Sequence, residues 1–441
     1  MKAKIIILLF ISTVSVYLSA QKDSVAWSLN DCVDYALTQN VDVRKSILNN
    51  LSDQLNYNQA KNNRLPSVNA SARQNFSLSN TINSTTNTSS FSGNNNSSYS
   101  ISSSMTLYNG SKLNNLIKQA ELDMQSGKYD SETIKESISL SILNAYLQVL
   151  FNEENVKNAA KQVEASTEQL NLSQERLNLS VISRSDYLQV KSQLATEKLN
   201  LANAKSQYAI ARVSLMQLME LPVNDDFSIS HPTLGESINA DIFPNAVDIY
   251  AIALGIKPEV KSANYKKESA ALDQKVASAA LYPSVTADVG VGTSYSNAFS
   301  TSYFGQLSDQ VSPYVGLTLN IPIFQKKQVK TNISQAKINY QNAELLEIDT
   351  KNQLRKEIEQ ICVDVVSAQS EYESSQEQFD AINESYALSE EQFKNGLISS
   401  VDFLYEKTNL IVAESQFLQS KYNLIFNYKI LDFYKGNPIN L

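Results

Sequence analysis

Two copies of one unit follow each other in this chain, and that repeat limits the possible folds more than any other feature. In LNYNQAKNNRLPSV, Leu55 precedes Pro66 by 11 residues, and in LDQKVASAALYPSV, Leu272 precedes Pro283 by the same 11. The copies lie 217 residues apart (283 − 66). The same offset pairs Ala36 and Leu37 with Ala253 and Leu254, and Val43 and Arg44 with Val260 and Lys261. Near the far end, Ile182-Ser183-Arg184-Ser185-Asp186 pairs with Ile398-Ser399-Ser400-Val401-Asp402 at an offset of 216. Each copy reads as a helical stretch, two alternating strands around a polar loop, and a very long helical stretch that turns back on itself. Duplication in matching order predicts a pseudo-symmetric fold.

The strands carry the most specific chemistry. In SVNASARQNFSLS (residues 67–79), Val68, Ala70, Ala72, Phe76 and Leu78 share one face, and Ser67, Asn69, Ser71, Arg73, Asn75 and Ser77 share the other. Residues 98–108 repeat the pattern, with Tyr99, Ile101, Met105 and Leu107 against serines and Thr106. In the second copy Val285, Ala287, Val289, Val291 and Tyr295 oppose Ser284, Thr286, Asp288 and Ser294. Val315, Leu317, Leu319, Ile321 and Ile323 then oppose Ser312, Tyr314, Thr318 and Asn320. Period-two alternation over about 10 residues marks a transmembrane β-strand with one face to lipid and one to a wet lumen. The polar segments between the strands, 80–97 and 296–312, read as long outer loops. Four strands cannot close a barrel, because known barrels start at about eight and an open edge in lipid leaves backbone groups unpaired. The strand count therefore requires an oligomer, without choosing between a dimer and a trimer.

The start of the chain agrees with export. Lys2 and Lys4 precede an apolar run to Leu18, and Ser19-Ala20-Gln21 offers a cleavage site, so residues 1–20 read as a signal peptide. Without those two lysines the chain keeps 35 basic and 45 acidic residues, a net −10, which argues against nucleic acid as a partner. Cys32 and Cys362 are too few for a disulfide framework and read as buried, unpaired thiols.

After each strand pair comes a helical run, 111–179 and 326–394, with a single glycine, Gly127, in the first. At about 1.5 Å per residue such a run spans on the order of 100 Å, more than a globular domain. Apolar residues recur at helical spacing, as in Ile134, Ile138, Ile142, Ala145 and Val149, so the stripe must pack on neighbouring helices. The runs break at 178–182 and 395–398 and restart with Ser-x-x-Asp, over 183–219 and 399–434. Ser183 and Ser399 are capping serines, and Asp186 and Asp402 sit near the positive end of the new helix. The turns present Leu179, Ser180, Val181 and Ile182 in one copy and Gly396, Leu397, Ile398 and Ser399 in the other, as local packing or as a partner contact.

Together these elements resemble the TolC-type outer-membrane efflux and secretion proteins. The resemblance rests on the duplicated unit, on Leu281-Tyr282-Pro283-Ser284-Val285, on Ile321-Pro322-Ile323-Phe324, and on the turn from Phe393 to Leu404. It covers essentially the whole mature chain. It implies an α+β membrane protein and a homotrimer. Four strands per chain would build one shared transmembrane β-barrel, continued by a long periplasmic α-helical barrel of antiparallel coiled coils. It further implies a channel-tunnel that receives substrates from an inner-membrane RND or ABC-type transporter through a periplasmic adaptor docked at the turns. The expected divisions are 21–220 for the first repeat, 221–245 for a connector, and 246–441 for the second repeat.

Relatives of this type narrow the periplasmic entrance with acidic rings. Asp402 fits the first ring position and Asp186 its counterpart in the first copy. The second ring falls at Tyr405, which is not acidic, with Glu406 beside it. Ile398 stands where relatives carry a basic latch, so the closed-state lock must differ. Plain helix capping is the simpler role for both aspartates. No cofactor or metal is expected, and an enzyme is disfavoured: His231 lies alone in the connector, without metal-ligand spacing or a phosphate-binding glycine loop. The rival reading is a coiled-coil or adhesin-like surface protein, which leaves the four lipid-type strands unexplained.

Overall fold

A computed structural model describes residues 26–83, 85, 87–223, 226–231 and 244–439. The expected signal peptide and parts of the connector, 224–225 and 232–243, lie outside the described residues. The chain runs α1 (Leu29–Gln39), α2 (Val41–Asn62), β1 (Ser67–Asn83), β2 (Thr88–Asn109), α3 (Lys112–Asn178) and α4 (Arg184–Leu218). It repeats as α5 (Ala246–Ile256), α6 (Pro258–Ala279), β3 (Ser284–Ser296), β4 (Ser312–Asn320), α8 (Gln328–Lys394) and α9 (Ser400–Tyr434), with a short α7 (Tyr303–Asp309) between β3 and β4. The duplication is exact in helix length: 11 residues for α1 and α5, 22 for α2 and α6, 67 for α3 and α8, and 35 for α4 and α9.

Local chemistry sets these lengths. Ser28 and Asp31 form a reciprocal capping box at α1, and Ser183 and Asp186 form another at α4. Asn40 ends α1, and its side chain caps α2. Pro258 opens α6, where a missing N–H costs nothing. Gly127 lies where α2 crosses α3: a Cβ there would collide with the Asp53 carboxylate.

The four strands form one antiparallel sheet in the order β1-β2-β3-β4. Its register keeps the two chemistries apart on all four strands. One face carries the rows Val68/Ser103/Val289/Val315, Ala70/Ile101/Val291/Pro313 and Met105/Ala287/Leu317. The other carries Ser67/Ser104/Asp288/Gly316, Asn69/Ser102/Gly290/Tyr314 and Thr106/Thr286/Thr318. A bulge between Thr106 and Tyr108 shifts the register by one residue, so that Tyr108 joins the apolar row of Val285 and Leu319. This corrects the simple alternation read for 98–108. The segment 80–97 also differs from expectation. It is strand as far as Asn83 and again from Thr88, because each backbone finds its partner across the hairpin, Asn83 pairing with Thr88. In the second copy β4 stops at Asn320.

The helices lie in the same lateral order as the strands they serve. α2 packs on α3, α3 on α6, and α6 on α8, while α4 folds back on α3 and α9 on α8. Among the described residues, no helix is long and apolar enough to cross a membrane. The core lies midway along the long helices, in two related clusters. Ala36, Ile142, Val149 and Leu215 are buried in the first, and Ala253, Ile358, Val365 and Leu431 fill the matching positions of the second. Cys32 and Cys362 are buried and free, one in each cluster, and burial pushes the Cys32 thiol up to about 12. The described part of the connector is pinned to this waist. Trp27 pairs with Ile229, the Tyr146 hydroxyl donates to the Ser230 carbonyl at 2.8 Å, and His231 meets Glu153 at 2.8 Å.

Candidate functional site: the hairpin tips and the seam between hairpins

Each long hairpin turns at the end farthest from the sheet. α3 passes into α4 through Ser180, and α8 into α9 through Gly396, both left-handed with φ of 60° and 73°. The turns share one hydrogen-bond pattern: Val181 N–H donates to the Arg176 carbonyl and Leu397 N–H to the Gln392 carbonyl, each at 2.9 Å. Glycine adopts this conformation freely, whereas serine pays about 1 kcal/mol. Ser180→Gly should therefore stabilise the first turn by up to about 1 kcal/mol, read as slower hydrogen exchange of its turn amides. Faster exchange would mean that the serine side chain holds the turn.

Leu179, Val181 and Leu397 are 75%, 68% and 74% exposed, and Ser180, Gly396 and Ser399 are exposed beside them. Ile182 and Ile398 are half-buried. The two turns adjoin. Arg176, on the last turn of α3, donates to the Phe393 carbonyl at 3.1 Å and to the Lys394 carbonyl, and lies 5.5 Å over the Phe393 ring. A cation thus satisfies the free carbonyls at the C-terminus of α8. Phe393 in turn stacks on Phe403 at 4.8 Å.

The four gate candidates separate into two kinds. Asp186 faces protein: Oδ2 accepts from Ser183 N–H and Oγ–H at 3.1 and 2.8 Å, and Oδ1 accepts from Ser400 Oγ–H at 3.1 Å. The Ser183 side chain and backbone, with Ser400, hold its carboxyl below the usual carboxylate range. Glu406 is half-buried and accepts from Ser385 at 3.4 Å, on its own hairpin. Asp402 and Tyr405 are exposed one turn apart on α9, with Asp402 Oδ2 accepting from Ser399 Oγ–H at 2.7 Å.

Sequence reading missed a buried ionic group where α3, α4 and α9 meet. Lys407 and Glu197, with side chains 1% and 2% exposed, lie 3.3 Å apart, and Ser166 bridges them by donating to Glu197 and accepting from Lys407. Gln193 donates to Glu197 Oε1, the oxygen that faces Lys407, at 3.1 Å. Burial pulls Lys407 below the ordinary lysine value, and Glu197 opposes that shift. The signal was present: Lys407 occupies a stripe position between the buried Phe403 and Leu410, where an apolar residue is the rule.

The sequence profile described as outer membrane efflux protein matches residues 32–220 and 249–436, the two copies. The chain belongs to the outer membrane efflux protein family. Its location is the outer membrane, and the family consists of channels rather than enzymes. Channels of this family are trimeric and work with adaptor and inner-membrane pump proteins. The chain is 24% identical over 227 residues to the pyoverdine export outer membrane protein OpmQ of Pseudomonas putida, a stretch covering 51% of this chain and 45% of that protein. The chain spans about half the length of the curated relatives it matches. In fold it is similar to the CmeC outer membrane channel of Campylobacter jejuni, with a TM-score of 0.77 at 20% identity over 92% of this chain and 84% of that one. The outer membrane protein VceC of Vibrio cholerae gives 0.77 at 18% identity, covering 93% and 96%.

Proposed function

We propose that this outer membrane efflux protein works as a homotrimeric channel-tunnel, taking substrates from an inner-membrane RND or ABC-type pump through a periplasmic adaptor to the cell exterior. The observation that carries this reading is a pair of open edges on the same two sides of both layers. The sheet ends at β1 and β4, and the helical layer at α2 and α8. α2 exposes Ile47, Leu48, Leu51 and Leu55, and α8 exposes Ile338, Leu345, Leu346 and Ile348. Three copies joined edge to edge give twelve strands, satisfy every edge in lipid, and cover both apolar helix faces. A fibre or adhesin has no use for a sheet with one apolar and one hydroxyl-rich face.

The adaptor docks on the tips. Leu179, Val181 and Leu397 stand in water at the end of each hairpin, as exposed apolar groups at contact sites do. Leu397→Asp with Ile398→Asp should abolish efflux in a drug-susceptibility assay while trimers still reach the outer membrane. Efflux at the wild-type level would reduce the tips to a structural role.

The gate rests on Asp402 rather than Asp186, whose oxygens are already engaged within the chain. Three Asp402 carboxylates around a narrow entrance attract cations. A trivalent cation added to the periplasmic side should block conductance of the wild type and block Asp402→Ala much less. Equal block in a planar bilayer would leave Asp402 as a helix cap.

A further inference from the structure

The first strand pair is far longer than a membrane requires. β1 and β2 have 17 and 22 residues, against 13 and 9 for β3 and β4. A tilted membrane strand needs about 9–11 residues. The apolar face is filled from the Tyr108/Val285/Leu319 row to the Tyr99/Thr293 row. At about 3.4 Å per residue and a tilt near 40°, those rows span roughly 21 Å of height, close to the usual apolar band. Tyr99, Tyr295 and Tyr303 cluster at its outer limit: the Tyr99 and Tyr303 hydroxyls are 2.7 Å apart, and the Tyr295 and Tyr303 rings 4.7 Å. Beyond that belt the β1–β2 hairpin continues, and its outward face becomes apolar again. Phe76, Leu78 and Phe91 lie on successive rows of that face and are 74%, 78% and 76% exposed.

A second apolar group sits at the same level, on the segment that joins β3 to β4. α7 is tied down on β3: Thr293 donates to the Leu307 carbonyl at 2.7 Å, and the Gln306 side chain bonds Ser296 N–H and C=O at 2.9 and 3.1 Å. Phe299, Phe304 and Val311 remain exposed. Anchored in this way, α7 lies over the end of β3, with its first residue reaching Tyr99 of β2 and its last leading into β4 at the open edge of the sheet. When the sheet closes with further copies, β4 of one copy lies beside β1 of the next. That continuity brings the α7 segment of one copy next to the projecting hairpin of its neighbour.

We propose that the exposed apolar surface of the β1–β2 extension is an interface for a second copy of this chain, with Phe299, Phe304 and Val311 of the neighbour covering Phe76, Leu78 and Phe91. The contact forms a staple above the membrane, outside both the lipid band and the helical barrel. It rests on the shared-barrel reading given under Proposed function. It explains why the first hairpin outgrows the membrane while the second is cut short and ends in a helix. Water exposure of two such patches at one height is otherwise unfavourable on both.

The test is a cysteine pair on intact cells. Leu78→Cys with Phe304→Cys, treated with a short bis-maleimide that forms a thioether with each thiol and then quenched with free thiol, should give covalent dimers and trimers on a denaturing gel, and neither single variant should. Cys32 and Cys362 are buried and do not compete. A double variant that purifies as an intact oligomer but shows only monomers on the gel overturns the staple, whether lipid or the chain's own α7 fills the patch. If wild type itself forms no oligomer, the shared-barrel reading falls and takes the staple with it. Independently, Phe76→Ser with Phe91→Ser should lower the temperature at which the detergent-extracted oligomer dissociates, and an unchanged temperature contradicts the proposal.

Discussion

Lys407→Ala should destabilise the protein by about 3–5 kcal/mol, the usual cost of leaving one member of a buried ion pair without its partner. Lys407 and Glu197 are almost wholly buried, and Ser166 completes their hydrogen bonding. Removing the ammonium strands the Glu197 carboxylate among three helices. Lys407→Leu combined with Glu197→Leu should restore most of the loss, because the uncompensated charge goes with the pair. Denaturant unfolding followed by helical circular dichroism reads both variants. A single-variant loss below about 1 kcal/mol would mean that water already reaches the pair. The group joins α3 and α4 of the first hairpin to α9 of the second, so its loss should loosen the seam between hairpins before the sheet.

Val289→Arg should cost about 2–4 kcal/mol and sharply reduce insertion, since Val289 lies in the middle rows of the apolar face, between Ser103 and Val315. Leu319→Arg should cost less, about 0–1 kcal/mol, because Leu319 shares the row of Tyr108 at the edge of the band. Ser102→Arg, on the hydroxyl face opposite Asn69 and Gly290, should be mild. Heat-resistant oligomer recovered from outer membranes gives the order. Equal losses at Val289 and Ser102 would refute the assignment of the faces.

Much of this architecture can be read from particular residues. The offsets linking Leu55 to Leu272 and Asp186 to Asp402 anticipate helices of equal length in both copies. Ser183 and Ser399 mark the restarts of α4 and α9 because a side-chain oxygen there satisfies a free helix N–H. The extension of β1 and β2 is not legible in the same way. Residues 80–97 are mostly Ser, Asn and Thr with little alternation, and 80–83 and 88–97 become strand only because the opposite strand supplies hydrogen bonds. The site shows the same division. The exposed tips follow from apolar residues placed beside helix breaks. The clamp of Arg176 on the end of α8 and the turning of Asp186 toward Ser400 depend on how two hairpins adjoin, some 216 residues apart in sequence. Lys407 lay in plain view on an apolar stripe, but its partner Glu197 could be identified only once α4 and α9 were brought together.

The central claim is that one chain supplies a third of a closed channel. The most direct measurement is the mass of the detergent-extracted protein, taken together with its conductance in a planar bilayer. The account predicts a particle of three chains that conducts, with conductance lost when the particle is dissociated. A stable monomer, or a trimer that never conducts, would contradict it.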